Sequence, residues 1–174
     1  MATIDTLVDT WKNPVNWDLF ITSQPIPFDP AGYEMRGLRP NNGSYQPPQD
    51  INYSPALTPY ALVLHVTRKG KTLPSALLGF TYANEVADCL QIQGGQRRYK
   101  QLSPVRWDMA LFDDFVSLTK QAGARELLLM PAAFQDGVDE HRIEAVTRRY
   151  DGNAHRHGFK LSAARQRYVL EISR

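Results

Sequence analysis

The residues most able to do chemistry sit together mid-chain. Gln91-Ile92-Gln93-Gly94-Gly95-Gln96 is followed at once by Arg97, Arg98 and Lys100, with Arg106 a little further on. The run before them, Val86 to Gln93, reads as a strand, and an amphipathic helix is predicted from Pro104. A strand that ends in a glycine turn and leads to a helix can aim backbone N–H groups at an anion. Arginines beside the turn would add bidentate contacts to a phosphate. The plainer alternative is an exposed turn whose charges are solvated. On a regular strand Gln91 and Gln93 share a face with Cys89, opposite Leu90 and Ile92. Two amides on one face either border a polar groove or are satisfied by a covering loop.

Other reactive chemistry is sparse. The single cysteine, Cys89, excludes an internal disulfide and a multi-cysteine zinc site, and it is expected as a small core residue. His155 and His157 are two apart on a predicted helix and diverge, so no histidine metal site is expected. Trp107, Phe115 and Tyr150 fall on stripes that must be buried, and they are read as core. The chain has 174 residues, a formal net charge of +2 and 22% charged residues, which suits one soluble domain. So small a charge gives no reason to expect nucleic acid or an anionic membrane as partner. No apolar run reaches about 18 residues, and Met1-Ala2-Thr3-Ile4-Asp5 lacks the pattern of a secretory signal. A cytoplasmic protein is the expectation.

The elements that must hold these residues follow from periodicity. Ile4, Leu7, Val8 and Trp11 predict a short helix limited by Pro14, within an N-terminal segment 1–23. Residues 24–59 hold eight of the twelve prolines, which predicts an irregular wrap, with a mobile lid as the alternative. From residue 60 the pattern becomes a folded core. Leu62–Thr67, Ser75–Tyr82 and Val86–Gln93 read as three antiparallel strands with tight connections. A helix from Ser103-Pro104 to Gly123 crosses over to a parallel strand, Arg125–Met130. Asp136 is placed to cap a second helix that buries Ile143, Val146, Tyr150 and Ala154. Gly152 inside it predicts a kink or close packing. Gln166–Ile172 is the last strand, and an exposed Arg167–Ile172 edge would permit a homodimer. The whole is one α/β (α+β) domain with a mixed sheet and helices on its faces.

From Tyr60 onward this order resembles the GNAT-fold acyltransferases, over about two thirds of the chain. In that family a Gln/Arg-x-x-Gly-x-Gly/Ala turn after the fourth strand holds the coenzyme A pyrophosphate on backbone N–H groups. Gln91 and Gly94 match it, while Gln96 stands where the family has Gly or Ala, and about eight residues precede Pro104. The resemblance implies acetyl-CoA or another acyl-CoA as cofactor, contacted by Gln91, Gln93, Gly94, Gly95, Gln96, Arg97 and Arg98. It implies Glu85 or Asp88 as base toward a small-molecule amine. It further implies a tyrosine acid: the family's Tyr-x-x-x-Gly-Phe is present as Gly158-Phe159 with Ala154 at the tyrosine position, and Tyr150 lies one turn away. Plain hairpin solubility is the other reading of Glu85 and Asp88. Ile92-Gln93-Gly94, Leu102-Ser103-Pro104 and Tyr150-Asp151 with Gly158 also resemble the VirK-type bacterial family, which has no established activity. Two functions are carried forward: an acyl-CoA-dependent N-acyltransferase, and a non-catalytic GNAT-like module for a ligand or protein partner.

Overall fold

Lys69 and Gly70 take φ values of 51° and 73°, and Asn84 and Glu85 take 52° and 62°. Paired left-handed residues form the two-residue turns that match strand twist. They join three antiparallel strands in the computed structural model. The structure describes residues 2–12, 15–22, 29–39, 51, 57–95, 102–135, 138 and 140–173. Its strands are β1 (Tyr33–Leu38), β2 (Tyr60–Arg68), β3 (Lys71–Ala83), β4 (Val86–Gly94), β5 (Glu126–Leu129), β6 (Lys160–Ser162) and β7 (Arg167–Glu171). Its α-helices are α1 (Ile4–Thr10), α2 (Trp107–Gln121) and α3 (Ile143–Arg156).

The seven strands form one mixed sheet in the order β1-β2-β3-β4-β5-β7-β6. The β4–β5 pair is parallel and the other neighbours are antiparallel. The α+β class and the parallel crossover through α2 are as the sequence predicts. Leu62, Leu64, Leu78, Phe80, Leu127 and Leu129 form the main core with Val8 of α1, with Leu111 and Phe115 of α2, and with Tyr150 and Ala154 of α3. A smaller cluster joins Ile51, Ala61, Val63 and Leu77. Strand alternation puts Leu77 and Leu78 on opposite faces, so the two clusters lie across the sheet. Among the described residues no helix is long and apolar enough to cross a membrane.

Four expectations need correction. The proline-rich segment contains strand β1, since Tyr33–Leu38 is free of proline and pairs fully with β2, burying Met35. The final strand is not an edge. β7 lies between β5 and β6, a three-residue strand too short to show a period, which pairs with Arg167–Val169. Helix α2 starts at Trp107, not Pro104. The backbone around Pro104 is held outside the helix because Thr22 N–H donates to Pro104 O at 2.9 Å and Arg106 N–H to Phe20 O at 2.6 Å. Gly152 is neither close-packed nor near another element, because a Cβ there would meet nothing within 4 Å. Asp136 lies outside the described residues.

Helix α1 is docked by two contacts. Trp11 Nε1–H donates to buried Asp114 of α2 at 3.0 Å. A Cβ on Gly37 of β1 would stand 2.0 Å from the Val8 carbonyl oxygen. Gly37→Ala should therefore push α1 off the sheet and cost about 2 kcal/mol, read as a lower urea midpoint. An unchanged midpoint would mean that α1 does not rest on β1 in solution.

Candidate functional site

Strand β4 decides where the polar residues point. Gly79 pairs with Gln91 and Phe80 with Cys89, so Leu90 is one extra residue, a β-bulge. The bulge resets the alternation. Cys89 and Ile92 both enter the main core, and Gln91 and Gln93 fall opposite Leu77 and Gly79 on the other face. The expectation that the two glutamines share a face with Cys89 is thus overturned. The Gln91 amide donates to the Gln93 carbonyl oxygen at 2.6 Å. Cys89 is fully buried, and burial pushes its thiol well up, as a core cysteine requires.

The parallel pair is short. β4 and β5 pair only from Val86–Glu126 to Cys89–Leu129, while β4 runs on to Gly94. Pro131 follows β5 closely and turns the chain into a 3-10 turn, Ala132–Phe134, whose first N–H donates to Asp151 of α3 at 2.9 Å. Beyond Cys89, β4 therefore parts from β5. The Tyr150 hydroxyl fills part of the gap and accepts Ile92 N–H at 2.7 Å. Tyr150 is 5% exposed, and burial raises its phenol pKa well above the usual value of 10.0. It is protonated throughout the neutral range, and with the oxygen accepting, its own proton is left to donate.

At the far end of β4, past the point where it parts from β5, lies a cavity of about 590 Å³. Gln93, Gly94 and Gly95 form one wall and the start of α2 another. Arg142, Val146 and Arg149 of α3 form a third. Four arginines border it (Arg106, Arg142, Arg148 and Arg149) against one carboxylate, Asp108. Asp108 is buried and engaged by Arg106 through two contacts of 3.3 Å. Trp107 is half-buried against the core and lines the cavity, so it is not the pure core residue predicted. Phe115 and Tyr150 are core.

The structure brings together some of the sequence candidates and separates others. Gln93, Gly94 and Gly95 border the cavity, but not as a bare phosphate cradle. Gly95 N–H donates to Ser75 O at 2.8 Å, inside the sheet. Gly94 is small because a Cβ there would meet Trp107 at 2.8 Å and Leu102 at 3.0 Å. Gln96, Arg97 and Arg98 lie outside the described residues. Glu85 stands eight positions before Gln93, about 26 Å along a strand. Its carboxylate pairs with Arg125 at 2.5 Å, and its carbonyl receives Arg125 N–H at 2.7 Å. Those bonds fasten the start of β5 and place Glu85 at the end of β4 away from the cavity.

Asp88 is better placed, one residue before the last β4–β5 pair and on the face of Gln91 and Gln93. Its Oδ1 is buried with no hydrogen-bond partner among the described residues. Burial lifts its carboxyl above the ordinary 3.8, with Arg167 at 3.7 Å pulling weakly the other way. Arg142, at the cap of α3, and Arg148 and Arg149 within it went unnoticed in sequence because their spacing does not distinguish a cavity wall from a solvated face. The available signal was Trp107, five residues past Leu102 and able to stack with a cation.

Two outcomes follow. Tyr150→Phe leaves Ile92 N–H buried without an acceptor and should cost about 1–3 kcal/mol in chemical denaturation; no loss would mean that the bond is not made. A carboxyl pKa raised on folding contributes stability below the unfolded value of 3.8, lost as pH rises through the folded value. Asp88→Asn should thus be more stable than wild type at pH 7, with the gap closing toward pH 3, as melting temperatures across that range would show. A constant gap would contradict the shift. Compared with family models, with curated proteins and with solved structures, the chain matches none of them.

Proposed function

We propose that the protein is a GNAT-like N-acyltransferase that takes its acyl group from acetyl-CoA or another acyl-CoA. The observation that carries this is the arginine-lined cavity at the end of β4, beyond the point where β4 and β5 part. Three antiparallel strands, a parallel pair that opens and a helix crossing between them are what the family resemblance implies. The fit to coenzyme A is specific in one respect and altered in another. Four arginines border the cavity beside the end of β4, where they can offer charge-assisted hydrogen bonds to phosphates. The backbone cradle, by contrast, is spent at Gly95 on Ser75.

A bound thioester would supply an acyl carbon open to attack and a thiolate leaving group. The chain's own residues would handle the protons. Asp88, with a raised pKa and an unpartnered oxygen, would take the proton from the attacking amine. Tyr150, kept protonated by burial, would give its proton to the departing sulfur. A small-molecule amine reaching the face that bears Asp88, Gln91 and Gln93 is the acceptor class this implies. Cytoplasmic function would suit such a cofactor.

A second reading, a ligand-binding or interaction module without chemistry, is favoured by Tyr150 already being bonded to Ile92. Calorimetry with coenzyme A and mass spectrometry of an amine panel with acetyl-CoA separate the two. Saturable binding at one site per chain, with acylation that falls at least tenfold in Asp88→Asn, is expected for the enzyme. Binding without any acylation would favour the module, and no heat at millimolar coenzyme A would sink both cofactor readings.

A further inference from the structure

We propose that Arg149, held on the face of Trp107, is the anion seat of the cavity, and that it selects ligands carrying a diphosphate. The proposal rests on the acyl-CoA reading but reassigns the phosphate contact from the turn after β4 to the face of α3.

The seat is a stack of three residues. Gly94 has no side chain, which lets the edge of the Trp107 indole come against the strand; a Cβ would be 2.8 Å from Cζ2. The same indole carries the Arg149 guanidinium at 5.0 Å from its ring centre. Stacking on an aromatic face restrains a guanidinium while leaving its N–H edge available to an anion. The backbone beneath is fixed as well, since the Asn153 amide donates to Arg149 O at 2.6 Å.

Arg149 differs from its neighbours in its charge balance. Arg106 is matched by Asp108. Arg149 has no ion pair among the described residues, although it is half-buried. Its nearest opposite charge is Asp108, whose two oxygens Arg106 already engages. Burial consequently works against its charged form. A half-buried, aromatic-backed guanidinium that faces a 590 Å³ cavity and has no ion pair among the described residues is a group short of an anion. Arg148 on the same rim can meet a second charge, which is why a diphosphate suits it better than a single carboxylate.

The test is calorimetry on the full chain with coenzyme A, ADP and pantetheine, at low and high salt. Wild type should bind coenzyme A and ADP, lose affinity as salt rises, and give no heat with phosphate-free pantetheine. Arg149→Met should weaken coenzyme A and ADP about tenfold or more and flatten the salt dependence. Arg149→Lys, which keeps the charge but not the planar fork, should recover only part of that. An unchanged coenzyme A affinity in Arg149→Met would overturn the seat while leaving the acyl-CoA reading intact. ADP binding without coenzyme A binding would do the reverse. Pantetheine binding as tightly as coenzyme A, or wild-type affinity indifferent to salt, would overturn the seat even if the methionine variant fails to fold.

Discussion

The parting of β4 from β5 is the constraint on which the rest depends. A parallel strand interior to a sheet normally has its backbone groups satisfied on both sides. Here β5 is four residues long and β4 nine, so part of β4 must find partners elsewhere. Pro131 makes the shortness unavoidable, as it has no N–H to extend the ladder. Tyr150 supplies one replacement partner, and α3 must sit beside the gap to bring it. The position of α3 then brings its arginines to the cavity. One short strand thus fixes a gap, a buried phenol and a cationic rim together.

The charge arrangement is unlike that of a glycine-rich phosphate turn. Backbone N–H groups at a turn bind anions by converging, at no cost in side-chain order. This chain uses its glycines for packing, Gly94 against Trp107 and Gly37 against α1. Its positive charge comes instead from side chains on two elements far apart in sequence. Side-chain seats are more readily altered than backbone ones, and they discriminate by geometry, since a guanidinium presents a planar fork. Asp88 and Gln91 lie across the sheet from Cys89 and Ile92, and of that polar row Gln93 lines the cavity.

Much of the frame was legible in the sequence, and particular forces hid the rest. The hairpins announced themselves through Lys69-Gly70 and Asn84-Glu85, and the crossover helix through its apolar stripe. Strand β1 was masked by the prolines on either side of it, although Tyr33–Leu38 contains none. β6 was too short to show a period. The faces of Gln91 and Gln93 could not be read because a single inserted residue, Leu90, inverts the alternation without leaving a compositional mark. Arginines on α3 gave no signal because a helix face of cations looks alike whether it faces water or a cavity. Only the contact with Trp107 distinguishes Arg149, and that contact joins residues 42 positions apart.

The pinning of the N-terminal segment has a kinetic side. Thr22 Oγ1–H donates to Ser103 O across 81 residues, Ile21 bridges Val105, and Phe20 O receives Arg106 N–H. These bonds hold the stretch that leads into α2 and with it one wall of the cavity. Closing so long a loop is entropically slow, and contacts of this range form after local hairpins have collapsed. The β2–β3–β4 meander can assemble from neighbours alone, whereas the cavity waits for the chain's first residues to return. The wall that Thr22, Ile21 and Phe20 hold is therefore expected to close after the meander, as the longer-range part of the fold.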